Sequence, residues 1–144
     1  MNFYRQKIIN DPIVPSGPIE WIWPAADTGL WEGPRNEWVN KFTSWIDSYV
    51  TGRDCVVQAG GGCGMYPRLL SDIFKTVYTF EPDAENFYFL NMNCSSRPNV
   101  KKFNCALGDK HRNALFFPPG ESNRGVGRVQ LEDDNDLINY DIPV

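Results

Sequence analysis

A cluster of glycines, Gly60-Gly61-Gly62-Cys63-Gly64, lies between an apolar β-branched run and a segment with helical periodicity. Glycine permits positive φ angles in a tight turn, and it lets a ligand lie against bare backbone near the N–H groups of a helix N-terminus. Dinucleotides, phosphates and S-adenosylmethionine are all bound by turns of this kind. The cluster therefore predicts a ligand site.

Two motifs that would narrow the choice of ligand are missing from this turn. No Gly-Lys-Ser/Thr follows it, which excludes a P-loop. A dinucleotide fingerprint needs a third glycine, which would fall on Met65 if counted from Gly60 and on Pro67 if counted from Gly62. The spacing that is present is Gly60-x-Gly62-x-Gly64.

A carboxylate, Glu81, follows the next predicted strand. At the C-terminal end of a parallel strand, a carboxylate can accept hydrogen bonds from both hydroxyls of an adenosine ribose. The alternative role, a negative charge at a helix N-terminus, is already filled by Asp83.

The elements that must position these residues alternate along the chain. Apolar residues at helical spacing predict a helix that begins at Arg35 and ends just before Gly52, a second after the glycine cluster, and a third capped by Asp83. Strands are predicted at 54–59, 76–80 and 100–107. This alternation predicts an α/β fold with a parallel sheet and right-handed crossovers.

Two further segments flank this alternation. Residues 1–34 hold five of the eleven prolines and three of the five tryptophans, which predicts an extended arm. We interpret the arm as a strap over the core rather than a lid or an oligomer contact. Beyond Gly108, apolar runs at 114–117 and 126–131 predict a short antiparallel addition. The acidic run at 132–136 lacks the pattern of a calcium loop, so we expect a solvated loop.

Composition excludes several function classes. The chain of 144 residues has a net charge of −4, so nothing indicates binding to nucleic acid or to an anionic membrane. No stretch approaches the ~18 to 20 apolar residues of a membrane span, and no secretory apolar region follows the N-terminus. We therefore expect a cytoplasmic protein. The four cysteines form no C-x-x-C pair and there is one histidine, which predicts reduced thiols and no metal site.

Three blocks then occur in order: VVQAGGGCGMYP, VYTFEPDAENFYFLNMN and VKKFNCALGDKHRNALFF. Over roughly residues 35–144 they resemble the cofactor-binding half of the FkbM-type class I S-adenosylmethionine-dependent methyltransferases. The resemblance implies a Rossmann-like three-layer sandwich that binds S-adenosylmethionine and releases S-adenosylhomocysteine. It further implies O-methylation of a small-molecule substrate, a sugar or another metabolite. The chain is thereby divided into an arm, 1–34, and an S-adenosylmethionine-binding domain, 35–144.

The resemblance also implies which residues bind the cofactor. The glycines would line its methionine and ribose part, Glu81 would hold the ribose hydroxyls, and the residues after the second and third strands would lie near the adenine. The implied set is Gln58, Gly60, Gly61, Gly62, Gly64, Glu81, Pro82, Asp83, Ala106 and Leu107.

The sequence departs from the family's pattern in two ways. Gln58 stands where the family usually has Asp, so we expect a weaker, uncharged contact to the cofactor's ammonium group. The family's fourth strand and the remainder of its sheet do not follow, so we expect a fold truncated after the third parallel strand. The strand at 55–59 would then be an apolar edge, which predicts a homo-oligomer or a second chain that covers it.

No catalytic residue is assigned from the sequence. His111 lies in a turn where a solvated role is expected, and nothing selects Glu121 or Tyr66. Two other functions stay open. One is a noncatalytic adenosyl-cofactor-binding or interaction module without the acceptor half. The other is an NAD-dependent oxidoreductase, which shares the turn and the acidic residue but lacks the third glycine.

Overall fold

The structure, a computed structural model, describes residues 3–8, 19–25, 27, 37–109, 113–118, 120, 123–130 and 141–143. Its elements in chain order are β1 (Phe3–Ile8), β2 (Ile19–Pro24), α1 (Glu37–Tyr49), β3 (Cys55–Ala59), α2 (Met65–Ile73), β4 (Thr76–Phe80), α3 (Ala84–Asn93), β5 (Val100–Phe103), β6 (Asn113–Phe117), a 3₁₀ turn (Arg124–Val126), β7 (Arg128–Gln130) and β8 (Asp141–Pro143).

A parallel sheet in the order β3-β4-β5 carries the glycine turn, residues 60–64, at its carboxyl edge. In its register Val56 pairs with Val77, and Val77 pairs with Val100. β-branched residues suit such strands because they pack well on a pleated surface. The prediction of an α/β fold with a parallel sheet is therefore confirmed.

The third parallel strand is shorter than predicted, because β5 ends at Phe103 and not at residue 107. The side chain of Asn104 donates from Nδ2 to the carbonyl oxygen of Glu81 at 2.8 Å and to that of Pro82 at 3.3 Å. These bonds tie the end of β5 to the end of β4. Ala106 and Leu107 consequently lie in a loop beyond the sheet edge.

The three helices share one hydrophobic core with the sheet. Ile46 of α1, Leu70 of α2 and Leu90 of α3 belong to the same buried cluster as Val77 and Val100. Because these valines alternate with the exposed residues of their strands, the helices cover one face of the sheet. None of the described helices has the length and apolar character of a membrane span.

The opposite face of the sheet is open to solvent. Val57 of β3 is 57% exposed, and its register partner Tyr78 is 38% exposed. Phe103 is 41% exposed and stacks on Phe80 with ring centroids 4.9 Å apart. Parallel sheets are ordinarily covered on both faces, so this apolar surface is unusual.

β2, which pairs antiparallel with β1, packs on α3. Trp21 and Trp23 are buried and share a hydrophobic cluster with Cys63 of the glycine turn. The amide of Asn93 accepts from the backbone N–H of Ile22 at 2.9 Å and donates to its carbonyl at 2.7 Å, as a neighbouring strand would. The described part of the arm is therefore an antiparallel pair that contributes to the core.

A second antiparallel sheet, in the order β7-β6-β8, forms the addition predicted after Gly108. β6 coincides with the predicted run 114–117, whereas β7 is shorter than the predicted run 126–131, because the 3₁₀ turn extends to Val126. β8 adds a strand that was not predicted. Trp31 and the acidic run 132–136 lie outside the described residues.

Candidate functional site

The glycine turn has three residues with positive φ: 75° at Gly60, 52° at Gly62 and 94° at Gly64. A Cβ built on Gly60 or Gly62 meets no atom within 4 Å, so their backbone borders open space. A Cβ on Gly61 would instead approach the hydroxyl of Thr79 at 2.7 Å. The turn thus has an open side, at Gly60 and Gly62, and a packed side, at Gly61.

Glu81 lies beside the glycine turn, immediately after β4. Its side chain accepts from the N–H of Gly62 at 2.7 Å and from the N–H of Asp83 at 2.9 Å. The residue is 5% exposed, and burial raises the pKa of its carboxyl above the ordinary value despite these two bonds. The bonds fix the carboxylate between the glycine turn and the start of α3.

A cavity of about 260 Å³ extends from Glu81. It is bounded mainly by apolar side chains from the ends of β4 and β5 and from the second antiparallel sheet. These are Phe80, Pro82, Ala106, Leu107, Phe116 and Val129. Apolar walls with a few polar groups are typical of small-molecule sites.

A second cavity of about 210 Å³ lies over the glycine turn and shares Gly60, Gly62 and Arg124 with the first. Tyr66, at the start of α2, and Asn123 line it as well. The two cavities therefore form adjoining lobes. The larger lobe lies next to the loop that contains Ala106 and Leu107, and the smaller lobe lies next to the backbone of the glycine turn.

Arg124 closes the far wall of both lobes from the 3₁₀ turn. Its Nη2 lies 2.6 Å from Oδ1 of Asp83 and 3.0 Å from Oε2 of Glu85. Its backbone N–H donates to Oδ2 of Asp27 at 3.2 Å, and its carbonyl accepts from Nδ2 of Asn86 at 3.1 Å. The site is thereby assembled from the arm, α3 and the antiparallel addition together.

Sequence reasoning missed Arg124. The residue follows Asn123 in a polar turn whose composition resembles any surface loop. Its partners Asp27 and Asp83 are far away along the chain, so only the tertiary fold brings the three together. The one signal in the sequence was an arginine between two short predicted strands.

The structure brings most of the predicted site residues to these cavities. Those that line at least one lobe are Gly60, Gly61, Gly62, Glu81, Pro82, Ala106 and Leu107. Gly64 packs against α3 and Asp83 caps that helix, where its carboxylate accepts from the N–H of Asn86 at 2.7 Å.

Gln58 makes its hydrogen bonds within the turn. Its Nε2 donates to the carbonyls of Ala59 at 3.1 Å and Gly60 at 2.6 Å, and its Oε1 accepts from the Thr79 hydroxyl at 2.5 Å. In this structure the Gln58 amide therefore stabilises the start of the turn. Its contact to a cofactor's ammonium group stays a prediction.

No protein-family model matches the chain, and no curated protein matches it in sequence. Among the described residues, no three side chains of His, Cys, Asp and Glu come together as a metal site would require. His111 and Glu121 lie outside the described residues.

Proposed function

We propose that the chain binds S-adenosylmethionine in the two adjoining lobes and is a methyltransferase of FkbM type. The observation that carries the proposal is the buried Glu81 carboxylate, which borders the larger cavity and is held by the N–H groups of Gly62 and Asp83. A carboxylate has about four acceptor positions, so beyond these two N–H groups and the Asn86 side chain it keeps capacity for a ribose hydroxyl.

The two lobes suit the two ends of this cofactor. The apolar walls at Pro82, Ala106 and Leu107 would hold the adenine. The lobe over Gly60 and Gly62 would hold the amino-acid end, because the open side of the turn lets a chain of atoms approach the backbone closely.

Methyl transfer requires little from the protein beyond positioning and exclusion of water. The bound cofactor supplies an activated methyl group, and the product is S-adenosylhomocysteine. Tyr66 lines the smaller lobe, and the methyl acceptor would be a hydroxyl of a sugar or another small metabolite. The four cysteines are free, as in a reducing compartment, and we place the protein in the cytoplasm.

A second candidate is a noncatalytic module that binds an adenosyl cofactor or another chain. The observation that favours it is the open face of the parallel sheet, where Val57 and Tyr78 are exposed. A module of this kind would bind the cofactor without transferring a methyl group, and it would bind another chain through this face. Transfer of labelled methyl groups to a panel of hydroxylated sugars would separate the enzyme from the module.

Thermal unfolding of the chain with S-adenosylmethionine, S-adenosylhomocysteine and NAD in turn tests the proposal. A ligand at ~100 times its dissociation constant adds about 2.7 kcal/mol to the free energy of unfolding. We expect stabilisation by both adenosyl ligands and its loss in Glu81→Ala. Asp54→Ala is the matched control, because Asp54 is an exposed carboxylate beside Lys75. Equal stabilisation of Glu81→Ala and the wild type would refute the assignment.

A further inference from the structure

One wall of both lobes belongs to the connection between β6 and β7, residues 118–127, which we call the β6–β7 loop. Arg124 and Gly125 of this loop border both lobes. Asn123 borders the smaller lobe, and Gly127 borders the larger one. Another wall is the glycine turn, which joins β3 to α2. A ligand that spans the two lobes would therefore contact both the parallel sheet and this loop.

The two walls are held in place in different ways. The glycine turn packs on the core, because Cys63 is buried in one cluster with Trp21 and Phe89. The loop tip, residues 123–126, has no buried residue, and Val126 is 62% exposed. A segment with so few buried apolar contacts opens at a lower free energy than the core does.

Polar contacts hold the loop tip, and Arg124 makes them. Among the described residues, each hydrogen bond or ion pair that joins the tip to another element involves Arg124. Its guanidinium contacts Asp83 and Glu85 near the start of α3, and its carbonyl accepts from the side chain of Asn86. Its N–H donates to Asp27, which follows β2. The other hydrogen bonds of the tip stay within the loop.

These contacts are strong, but they all depend on one residue. The side chains of Arg124 and Asp83 are only 11% and 9% exposed, and a charge-assisted hydrogen bond is stronger than a neutral one. Glycines at 120 and 127 flank the tip, and small residues often serve as hinges. If Arg124 leaves its partners, both lobes lose the same wall at once.

We propose that the β6–β7 loop is a gate over the two lobes, that Arg124 holds it closed against α3 and Asp27, and that ligands enter and leave when it opens. The identity of the ligand rests on the proposed adenosyl site, whereas the opening of the loop does not. The inference adds regulation to that site, because the frequency of opening sets the rates of ligand association and dissociation.

Amide hydrogen exchange of the ligand-free chain, followed by NMR, tests the opening. The N–H at position 124 is bonded to Asp27 only while the gate is closed. We expect this N–H to exchange at least about tenfold faster in Arg124→Met than in the wild type. The N–H of Cys94, which is bonded to the carbonyl of Leu90 in the core, should keep its rate and so show that the variant is folded.

Two further variants make this test specific. Arg128→Met is the matched control, because Arg128 is an exposed arginine of β7 that contacts the ring of Phe117 and lines neither lobe. It should leave the exchange at position 124 unchanged. Glu85→Gln removes one partly exposed partner of Arg124, and we expect an increase of up to about fivefold. Exchange at position 124 that is equally fast in Arg124→Met and the wild type would overturn the gate.

Stopped-flow binding of S-adenosylhomocysteine tests whether the gate controls the site. In Arg124→Met, association and dissociation should each become at least about threefold faster, because the open state is populated more often. Glu85→Gln, which lines neither lobe, should change both rates in the same direction by less. Faster dissociation with unchanged association would show that Arg124 only contacts the ligand, and it would overturn the control of exchange. No binding by the wild type would refute the adenosyl site, whereas the exchange at position 124 would still decide whether the loop opens.

Discussion

The packed side and the open side of the glycine turn consist of the same residue type but meet different surroundings. Cβ atoms on Gly61 and Gly64 would run into Thr79, Leu90 and Cys94. Cβ atoms on Gly60 and Gly62 would enter empty space that the two cavities occupy. One pair of glycines lets the turn pack on α3, and the other pair leaves room for a ligand. Substitutions on the two sides should therefore affect different properties.

The largest effect is expected from Gly64→Ala on the packed side. The new methyl group would lie 3.2 Å from Sγ of Cys94 and 3.3 Å from Cα of Leu90, at a φ of 94°. Strain in the left-handed region and overpacking together should lower the free energy of unfolding by about 2–4 kcal/mol. Urea denaturation measures it. Gly52→Ala is the control, since its Cβ meets nothing within 4 Å. A loss no larger than in that control would show that the packed side is not constrained.

On the open side, Gly62→Ala should mainly affect ligand binding. Its φ of 52° costs about 1 kcal/mol for alanine, but no atom lies in the way of the methyl group. The methyl group would occupy the space between the lobes, and we expect at least about tenfold weaker binding of S-adenosylhomocysteine. Titration of the folded variant measures this. Binding as tight as that of the wild type would contradict the expected difference between the open side and the packed side.

Ligand binding at the open side of the turn should also depend on pH, because Glu81 titrates there. Burial raises the pKa of this carboxyl, so protonation begins at a higher pH than for an ordinary glutamate. A protonated carboxyl offers fewer acceptors to a ribose, and adenosyl affinity should fall by up to about tenfold per pH unit below that raised pKa. The stability of the fold should change in the opposite direction. Because the pKa of Glu81 is raised in the folded state, this group adds to the free energy of unfolding at acidic pH. That contribution is lost as the pH rises through the raised pKa.

Titrations with S-adenosylhomocysteine between neutral and mildly acidic pH measure the pH effect. Asp27, Asp83 and Glu85 contact Arg124, which lines the same space, and Glu85→Gln is the control that should keep the dependence. An affinity that does not change with pH would indicate that Glu81 does not contact the ligand.

The smallest effect on stability is expected at the open face of the sheet. Val57→Lys should change the free energy of unfolding by less than about 0.5 kcal/mol, because the side chain is mostly exposed. We propose that this face and the β3 edge bind a second copy or another chain, so the variant should lower self-association in sedimentation velocity. Val126→Lys, at an exposed apolar residue of the 3₁₀ turn, is the control. A wild-type chain that stays monomeric would leave this face without the proposed role.

Local pattern was sufficient to predict the elements that carry the site. β4 has the predicted bounds, and Asp83 caps α3 as expected, because an apolar β-branched run and an N-cap residue depend on near neighbours. The positions of Glu81 and the glycine turn follow from the strands that precede them.

Contacts between distant segments could not be predicted in this way. The junction of Arg124 with Asp27 and Asp83 and the pairing of Asn93 with Ile22 depend on how separate elements pack. Gln58 illustrates the same limit, since the sequence cannot show that Thr79 and two carbonyls occupy its amide. Residues at the end of a strand are predictable, whereas the partners that surround them are not.

The most direct test of the site is an amide ¹H–¹⁵N spectrum of the chain recorded with and without S-adenosylhomocysteine. We expect shifts at Gly60, Gly62, Leu107 and Gly125, around the two lobes, and none at Ile46 in the helical core. A spectrum that does not change at saturating ligand, or shifts confined to Val57 and Tyr78 on the open face, would contradict the proposed site.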